Sequence, residues 1–413
     1  MPRLRPPRDP VTVHLDGEAI VAERGEPTAV ALVAAGRLAL ARSPKFHRPR
    51  GPSCLRAACD GCLARVDGEP NVMTCRVPAD EGTQVETQNV VGSRQTDLLR
   101  MADWFFPEGM NHHELLAGVP GVQRVMQAFA RRVAGLGRLP REAAGARPAH
   151  RRSVDVLVVG AGAAGISVAL GLADRGREVE VVDDDLTWGG SVRGLGSEEW
   201  RPLLDRFGEA LDRRRLTLRL RTTAAGVYGE DVLVAGHDGA EVVQARTLVL
   251  APGAHDGALA FEGNDLPGVL SARAASWMLA GGVSPGERLV VVGGPGGGQL
   301  GRAVAEDHGA ATVVEGVPVL ARGGARIKEV TVAGDGGERR LACDTLVLDT
   351  PRAPAYELCA QAGARLLHEI RGFVVTAPGG RIRDGVFAVG EVTGSPLVPD
   401  VVARDAARVL EQA

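Results

Sequence analysis

The chain has 413 residues, 45% of them apolar, which is enough for two or three domains with sizeable cores. A net charge of −3 argues against a nucleic-acid or membrane-surface partner. There is no apolar run long enough for a membrane span, and the basic start MPRLRPPRDP lacks the apolar core of a secretory signal, so a reducing cytoplasm is the expected compartment.

In chain order, VTVHLDGEAIVAE reads as a hairpin around Asp16-Gly17, GEPTAVALVAAG as a helix and TQVETQN as a strand. Between helix and strand lies CLRAACDGCLARVDGEPNVMTC, which holds four of the six cysteines. Residues 10–95 are expected to form one β-grasp domain. Residues 96–152 read as a helical connector, with MADWFFPEGMNHHELL and GVQRVMQAFARRVAGLG as helices before a Pro/Arg/Ala-rich linker. From 153 onward the pattern becomes strand, Gly-rich turn, helix, strand, and it occurs twice. The expected division is an FAD-binding Rossmann domain over 153–254 and 351–413, split by a trimmed NAD-type domain over 255–350. The predicted fold class is therefore α+β at the N-terminus and α/β beyond it.

Cys54, Cys59, Cys62 and Cys75 have the spacing C-x4-C-x2-C-x12-C. This is the plant-type ferredoxin pattern for a 2Fe-2S cluster, with a shortened final gap. Three ligands on one compact loop need small residues between them, and Ala57, Ala58 and Gly61 supply these. A zinc site and idle thiols are the alternatives. Cys343 and Cys359 have no partner motif and read as small buried residues.

VDVLVVGAGAAGISVALGLADRGREVEVVDDD carries a complete dinucleotide fingerprint. Gly160 is assigned to the tight turn, Gly162 to the approach of the pyrophosphate, and Gly165 completes the motif. Ala163 and Ala164 open the helix whose N-terminus would hold the phosphate charge. Asp183, with Asp184 beside it, ends the next strand where a ribose hydroxyl is bound. FAD is favoured over NAD by three later stretches. WGGS places Gly189, Gly190 and Ser191 under the flavin. TLVLAPG returns Ala251 and Gly253 beneath the nucleotide. DGVFAVGE places Gly390 and Glu391 at the ribityl or pyrophosphate region, with a plain helix-cap acid as the other reading of Glu391. Val227 completes the set of candidate FAD contacts.

The second Gly-rich unit, RLVVVGGPGGGQLGRAVAEDHGAATVVEG, aligns Gly293, Pro295 and Gly298 with the three glycines, and Gly316 with Asp183. Glu315 is one residue away. A proline at the pyrophosphate and a missing ribose acid argue against NAD(P)H and for a structural remnant.

The ordered stretches SPKFHRPRG, WFFPEGMNHHELL, RRVAGLGRLP, LVLAPGAHDGALAFEGNDLPGVLSARAA and VFAVGEVTG resemble the α subunit of heteromeric sarcosine oxidases. They also resemble its relatives, the FAD subunits of proline, hydroxyproline, opine and cyanide-forming glycine dehydrogenases. The resemblance covers nearly the whole chain. It implies an FAD- and 2Fe-2S-containing oxidoreductase, acting as the electron-transfer subunit beside a second, amine-oxidising flavoprotein subunit. The small-molecule amine or amino acid would be handled by that partner, and an FMN at the subunit interface is left open. In two respects the chain departs from sarcosine oxidase α subunits: it has the cluster cysteines, and it stops before a folate-binding domain. The competing reading is a self-sufficient NAD(P)H-dependent reductase feeding its own cluster. No catalytic base is assigned. His47, His112 and His113 read as packing or surface residues, and His47 and Arg48 are placed to tune the cluster or touch a partner.

Overall fold

The computed structural model describes residues 3–43, 46–90, 92–101, 121–122, 124–125, 149–196, 198–237, 239–293 and 298–413. Most of the expected helical connector, His112, His113 and Pro295 lie outside the described residues. The chain divides into two compact units, residues 1–143 with 259–293 and 305–348, and residues 144–258 with 294–304 and 349–413.

The first unit opens with a five-stranded sheet in the order Glu18–Glu23, Pro10–Leu15, Gln84–Glu86, Leu63–Val66, Glu69–Met73. The first hairpin is antiparallel, and Gln84–Glu86 runs parallel to Pro10–Leu15. Strict alternation in PVTVHL sends Val11, Val13 and Leu15 into the core. The helix Thr28–Ala34 buries Ala29, Val30, Ala31, Leu32 and Val33, so it reads as apolar almost all round. A helix lying on a mixed sheet whose first and last strands pair in parallel in its interior is the β-grasp arrangement.

The same unit contains a four-stranded sheet ordered Val269–Ser271, Thr345–Asp349, Leu289–Gly293, Thr312–Glu315. A three-stranded antiparallel meander follows, Val317–Gly323, Ile327–Gly334, Gly337–Ala342. The chain passes from Glu315 straight into this meander without the crossover helix of a full Rossmann domain. Gly316, at φ +143°, makes the reversal, because a Cβ there would meet the carbonyl oxygen of Ala333 at 2.4 Å. The β-grasp element and this sheet are joined within the unit. Ser271 N–H donates to Ser53 O at 2.9 Å, and Arg50 pairs with Asp265 at 2.7 Å.

The second unit is built on an eight-stranded sheet. Its parallel part runs Thr217–Arg219, Val179–Val182, His150–Val159, Gly239–Leu250, with Val386–Ala388 pairing alongside the last of these. Strands buried on both faces become continuous Val/Leu runs, as VDVLVV and TLVL are. Helix Ala163–Asp174 covers one face and packs against the terminal helix Pro399–Leu410. Gly171 lets Leu410 approach so closely that a Cβ there would meet Leu410 Cδ1 at 2.4 Å. Phe207 is fully buried in this core, and truncating it to Ala would cost about 3–5 kcal/mol.

Candidate functional site

The parallel register sets Val159 beside Val182, so the turn after the first strand emerges next to Asp183. Each fingerprint glycine meets a different constraint there. A Cβ on Gly160, at φ +105°, would strike Ala251 O at 2.2 Å, and one on Gly165 would strike Gly160 O at 2.0 Å. A Cβ on Gly162 would meet nothing within 4 Å. Two glycines therefore hold the turn against its own backbone, and the third has open space before it. Helix Ala163–Asp174 begins at Gly162 with no side-chain cap, leaving its first N–H groups and its dipole to an anion.

Asp183 has a local role in this turn. Its carboxylate accepts from Ala161 N–H at 2.6 Å and from Asp185 N–H at 2.8 Å. Burial pushes its pKa up from the usual range despite those two donors. Asp184 is the next residue along, half-buried.

Gly189 and Gly190 lie against the turn. Gly189 N–H donates to Ala161 O at 2.8 Å, and a Cβ on Gly190 would sit 3.0 Å from Gly162 Cα. Trp188 anchors this loop by packing edge-on against Phe207, with ring centroids 5.2 Å apart. Gly390, at φ +85°, is pressed on Ala164, 2.6 Å from where its Cβ would be. Glu391 follows, with Oε2 3.8 Å from the Cβ position of Gly253. The structure thus brings Gly160, Gly162, Ala163, Ala164, Gly165, Asp183, Gly189, Gly190, Ala251, Gly253, Gly390 and Glu391 to one end of the parallel strands. Val227 is set in the core of the outer hairpin, and its N–H donates to Gln361 Oε1 at 2.9 Å.

A residue not anticipated from the sequence ties these pieces together. Arg352 pairs with Glu391 Oε1 at 2.6 Å and donates to Ser191 Oγ at 2.9 Å. One guanidinium thus joins the WGGS loop to the C-terminal motif. It lies on the wall of a cavity of about 820 Å³ shared by Ala254, Arg302, Asp349 and Glu391. No sequence motif marks Arg352. It could have been suspected only as an arginine just past an apolar strand.

In the cysteine loop, Leu55 and Ala57 adopt left-handed φ of 53° and 56°. Alternation of that kind turns successive N–H groups inward and forms a concave anion-binding backbone. Arg56 N–H donates to Cys54 Sγ at 3.3 Å. Gly61 is required by close approach, because a Cβ would overlap Gly51 O at 1.8 Å. The sulfurs group two and two, Cys54 with Cys59 at 3.4 Å and Cys62 with Cys75. The hydrogen bond from Cys54 and backbone bonds from Ser53 and Gly61 lower the Cys59 thiol to about 5, while Cys54 and Cys62 are pushed up by their partners. Among the described residues, no three His, Cys, Asp or Glu side chains close on one point as a single metal ion requires. Two pairs lining a donor-rich loop fit a two-iron, two-sulfide cluster. Cys343 and Cys359 are fully buried, and burial pushes both thiols up to about 12.

His47 is neither exposed nor simply packed. Its Nδ1 lies 2.8 Å from Asp97 Oδ2, with both side chains buried.

The second glycine-rich turn corrects the register expected from sequence. Helix Gln299–His308 starts after Gly298 as the first helix starts after Gly162. Arg302 N–H bonds Gly298 O as Ile166 N–H bonds Gly162 O. Gly298 and Gly301 are therefore the counterparts of Gly162 and Gly165. Gly293 pairs with Glu315, so Glu315, not Gly316, is the counterpart of Asp183. Counting along the sequence failed here because helix Gln299–His308 starts farther along the chain from strand Leu289–Gly293 than helix Ala163–Asp174 does from strand His150–Val159.

Residues 8–90 match the 2Fe-2S iron-sulfur cluster binding domain family, and residues 154–323 match the pyridine nucleotide-disulphide oxidoreductase family. With the two sites described above, these define a flavoprotein oxidoreductase with FAD and a 2Fe-2S cluster as its cofactors. The chain is related to sarcosine oxidase α subunits, to an opine oxidase subunit and to hydrogen cyanide synthase subunits. It is 30% identical over 309 residues to sarcosine oxidase subunit alpha of Rhizobium meliloti (strain 1021), covering 67% of this chain and 31% of that protein. It is 33% identical over 82 residues to hydrogen cyanide synthase subunit HcnA of Pseudomonas aeruginosa, covering 20% of this chain and 78% of the relative. Its fold is that of L-proline dehydrogenase from P. horikoshii, with a TM-score of 0.73 at 22% identity over 99% of this chain and 75% of the other. The chain spans about a third of the length of the sarcosine oxidase α subunits it matches. No described helix is long and apolar enough to cross a membrane.

Proposed function

We propose that this chain is the electron-transfer subunit of a heteromeric oxidase or dehydrogenase acting on an amino acid or a secondary amine, with substrate oxidation carried out on a second flavoprotein subunit. The observation that carries the reading is the presence in one chain of an uncapped Gly162 turn and a paired four-cysteine loop. When bound, FAD exchanges two electrons and a 2Fe-2S cluster one, so a chain holding both can accept a pair and release it singly.

The protein's part is to hold and orient. Gly162 and the first N–H groups of helix Ala163–Asp174 receive the pyrophosphate. Asp183 fixes the turn through Ala161 and, with Asp184 beside it, would take the ribose hydroxyls. Gly189, Gly190 and Gly253 would let backbone approach a flavin, and Glu391, held by Arg352, would serve its ribityl or pyrophosphate region. Cys54, Cys59, Cys62 and Cys75 hold the cluster, with loop N–H groups offsetting its negative charge. The test is co-expression and co-purification with a candidate second flavoprotein subunit from the same organism, followed by assay of amine oxidation. The reading predicts activity in the complex and none in either subunit alone. Amine oxidation by this chain alone would refute it.

A self-sufficient NAD(P)H reductase is the second reading, favoured by Glu315 standing opposite Gly293 in the sheet register.

A further inference from the structure

Two strands of the chain end in nearly the same words, TLVLAPG at 247–253 and TLVLDTP at 345–351. Ala251 and Asp349 are counterparts. Ala251 lies beside Gly165, whose Cβ would come 3.3 Å from that of Ala251. Asp349 lies beside Gly301, whose Cβ would come 2.5 Å from Asp349 Oδ2. The difference between the two is a carboxylate.

That carboxylate is committed. Asp349 is 6% exposed, its Oδ2 accepts from Gly301 N–H at 2.7 Å, and Gly298 also bonds it through its backbone. Burial pushes the Asp349 pKa up from the usual carboxylate range, and the two backbone donors with the charges of Arg352 and Arg302 oppose that shift. The corresponding N–H groups of the first helix have no side-chain cap. A dinucleotide's pyrophosphate needs these groups and the positive end of the helix. At the second turn a built-in anion already has them, and a second anion there would meet a like charge in a buried setting.

We propose that Asp349 occupies the phosphate position of the second glycine-rich turn and thereby excludes nicotinamide dinucleotides, which makes it a specificity residue that denies this chain a soluble hydride donor. The inference rests on the reading of the chain as one fed by a partner subunit, and it assigns the reason to one side chain.

The test uses the FAD-loaded full chain, with NADH and ADP-ribose as probes in equilibrium dialysis, ADP-ribose carrying the pyrophosphate without the nicotinamide. Wild type and Asp349→Glu are expected to bind neither probe at millimolar concentration. Asp349→Ala is expected to bind both at least about tenfold more tightly than wild type, the scale of removing a like charge from an anion site. Because Asp349 caps a helix, Asp349→Asn is the companion variant. Its amide oxygen keeps a cap while the charge is gone, and it too should gain binding. Tight binding of either probe by wild type overturns the proposal. So does a failure of both neutral variants to gain binding while they retain flavin and helical content. The two readings separate cleanly: bleaching of the wild-type chromophores by NADH refutes the partner-fed reading. An inert wild type whose neutral variants gain nothing refutes only the role of Asp349.

Discussion

Arg352 and Glu391 form an ion pair at 2.6 Å, and the same guanidinium reaches Ser191, 161 residues back in the chain. The arginine and the glutamate are 17% and 16% exposed, so the pair is substantially shielded from solvent. Hydrogen bonds to charged groups in such settings contribute about 1.5–3 kcal/mol. Arg352→Ala should release both the WGGS loop and Glu391 and lower FAD affinity about tenfold or more. Arg352→Lys keeps the charge but cannot span both partners, and should recover only part of the loss. Flavin retention after dialysis, measured beside a thermal melt, checks this.

The three fingerprint glycines should fail in different ways. Gly160→Ala and Gly165→Ala would force a methyl within 2.2 and 2.0 Å of a backbone oxygen, so both should destabilise the fold itself. Gly162→Ala has open space before it and should fold with a near-native melting temperature, yet hold FAD poorly. Circular dichroism melts read against visible flavin absorbance separate the two classes.

Each cluster cysteine should be individually dispensable for the flavin and indispensable for the iron. Cys59→Ser and Cys62→Ser are each expected to lose the iron–sulfur bands and the electron paramagnetic resonance signal after reduction. Both should keep stoichiometric FAD, because the cysteine loop and the Gly162 turn belong to different compact units. Two irons per chain that survive either substitution would show that the loop has been misassigned.

The buried pair of His47 and Asp97 should matter for stability. Asp97→Ala leaves a buried ring nitrogen without its partner, at a cost of about 1–3 kcal/mol. Urea denaturation should record that loss. Replacing both residues with apolar side chains of similar volume should restore much of it.

What the sequence disclosed depended on whether the chemistry lay within a short window. Cys54 to Cys75 and Gly160 to Gly165 carry their function in local spacing, and the β-grasp and flavoprotein folds followed from the strand and helix patterns around them. Arg352 was invisible because its partners, Ser191 and Glu391, are distant in the chain. His47 was underestimated because Asp97 lies 50 residues on. The second turn was misread by counting, since its strand and helix are farther apart in the sequence than those of the first. The pairing of Gly293 with Glu315 and the helix start at Gln299 place Gly298, Gly301 and Glu315 instead. The strand repeat that singles out Asp349 was passed over in the sequence, and the hydrogen bond to Gly301 gives it meaning.

The central claim is that one chain holds FAD and a 2Fe-2S cluster and receives its electrons from a partner subunit. The most direct measurement is an anaerobic visible spectrum of the purified chain, with flavin, iron and sulfide quantified and NADH then added. The account predicts flavin and iron–sulfur bands together, unbleached by NADH and bleached by dithionite. Bleaching of both bands by NADH, or a bound nucleotide other than FAD at the Gly162 turn, would contradict it.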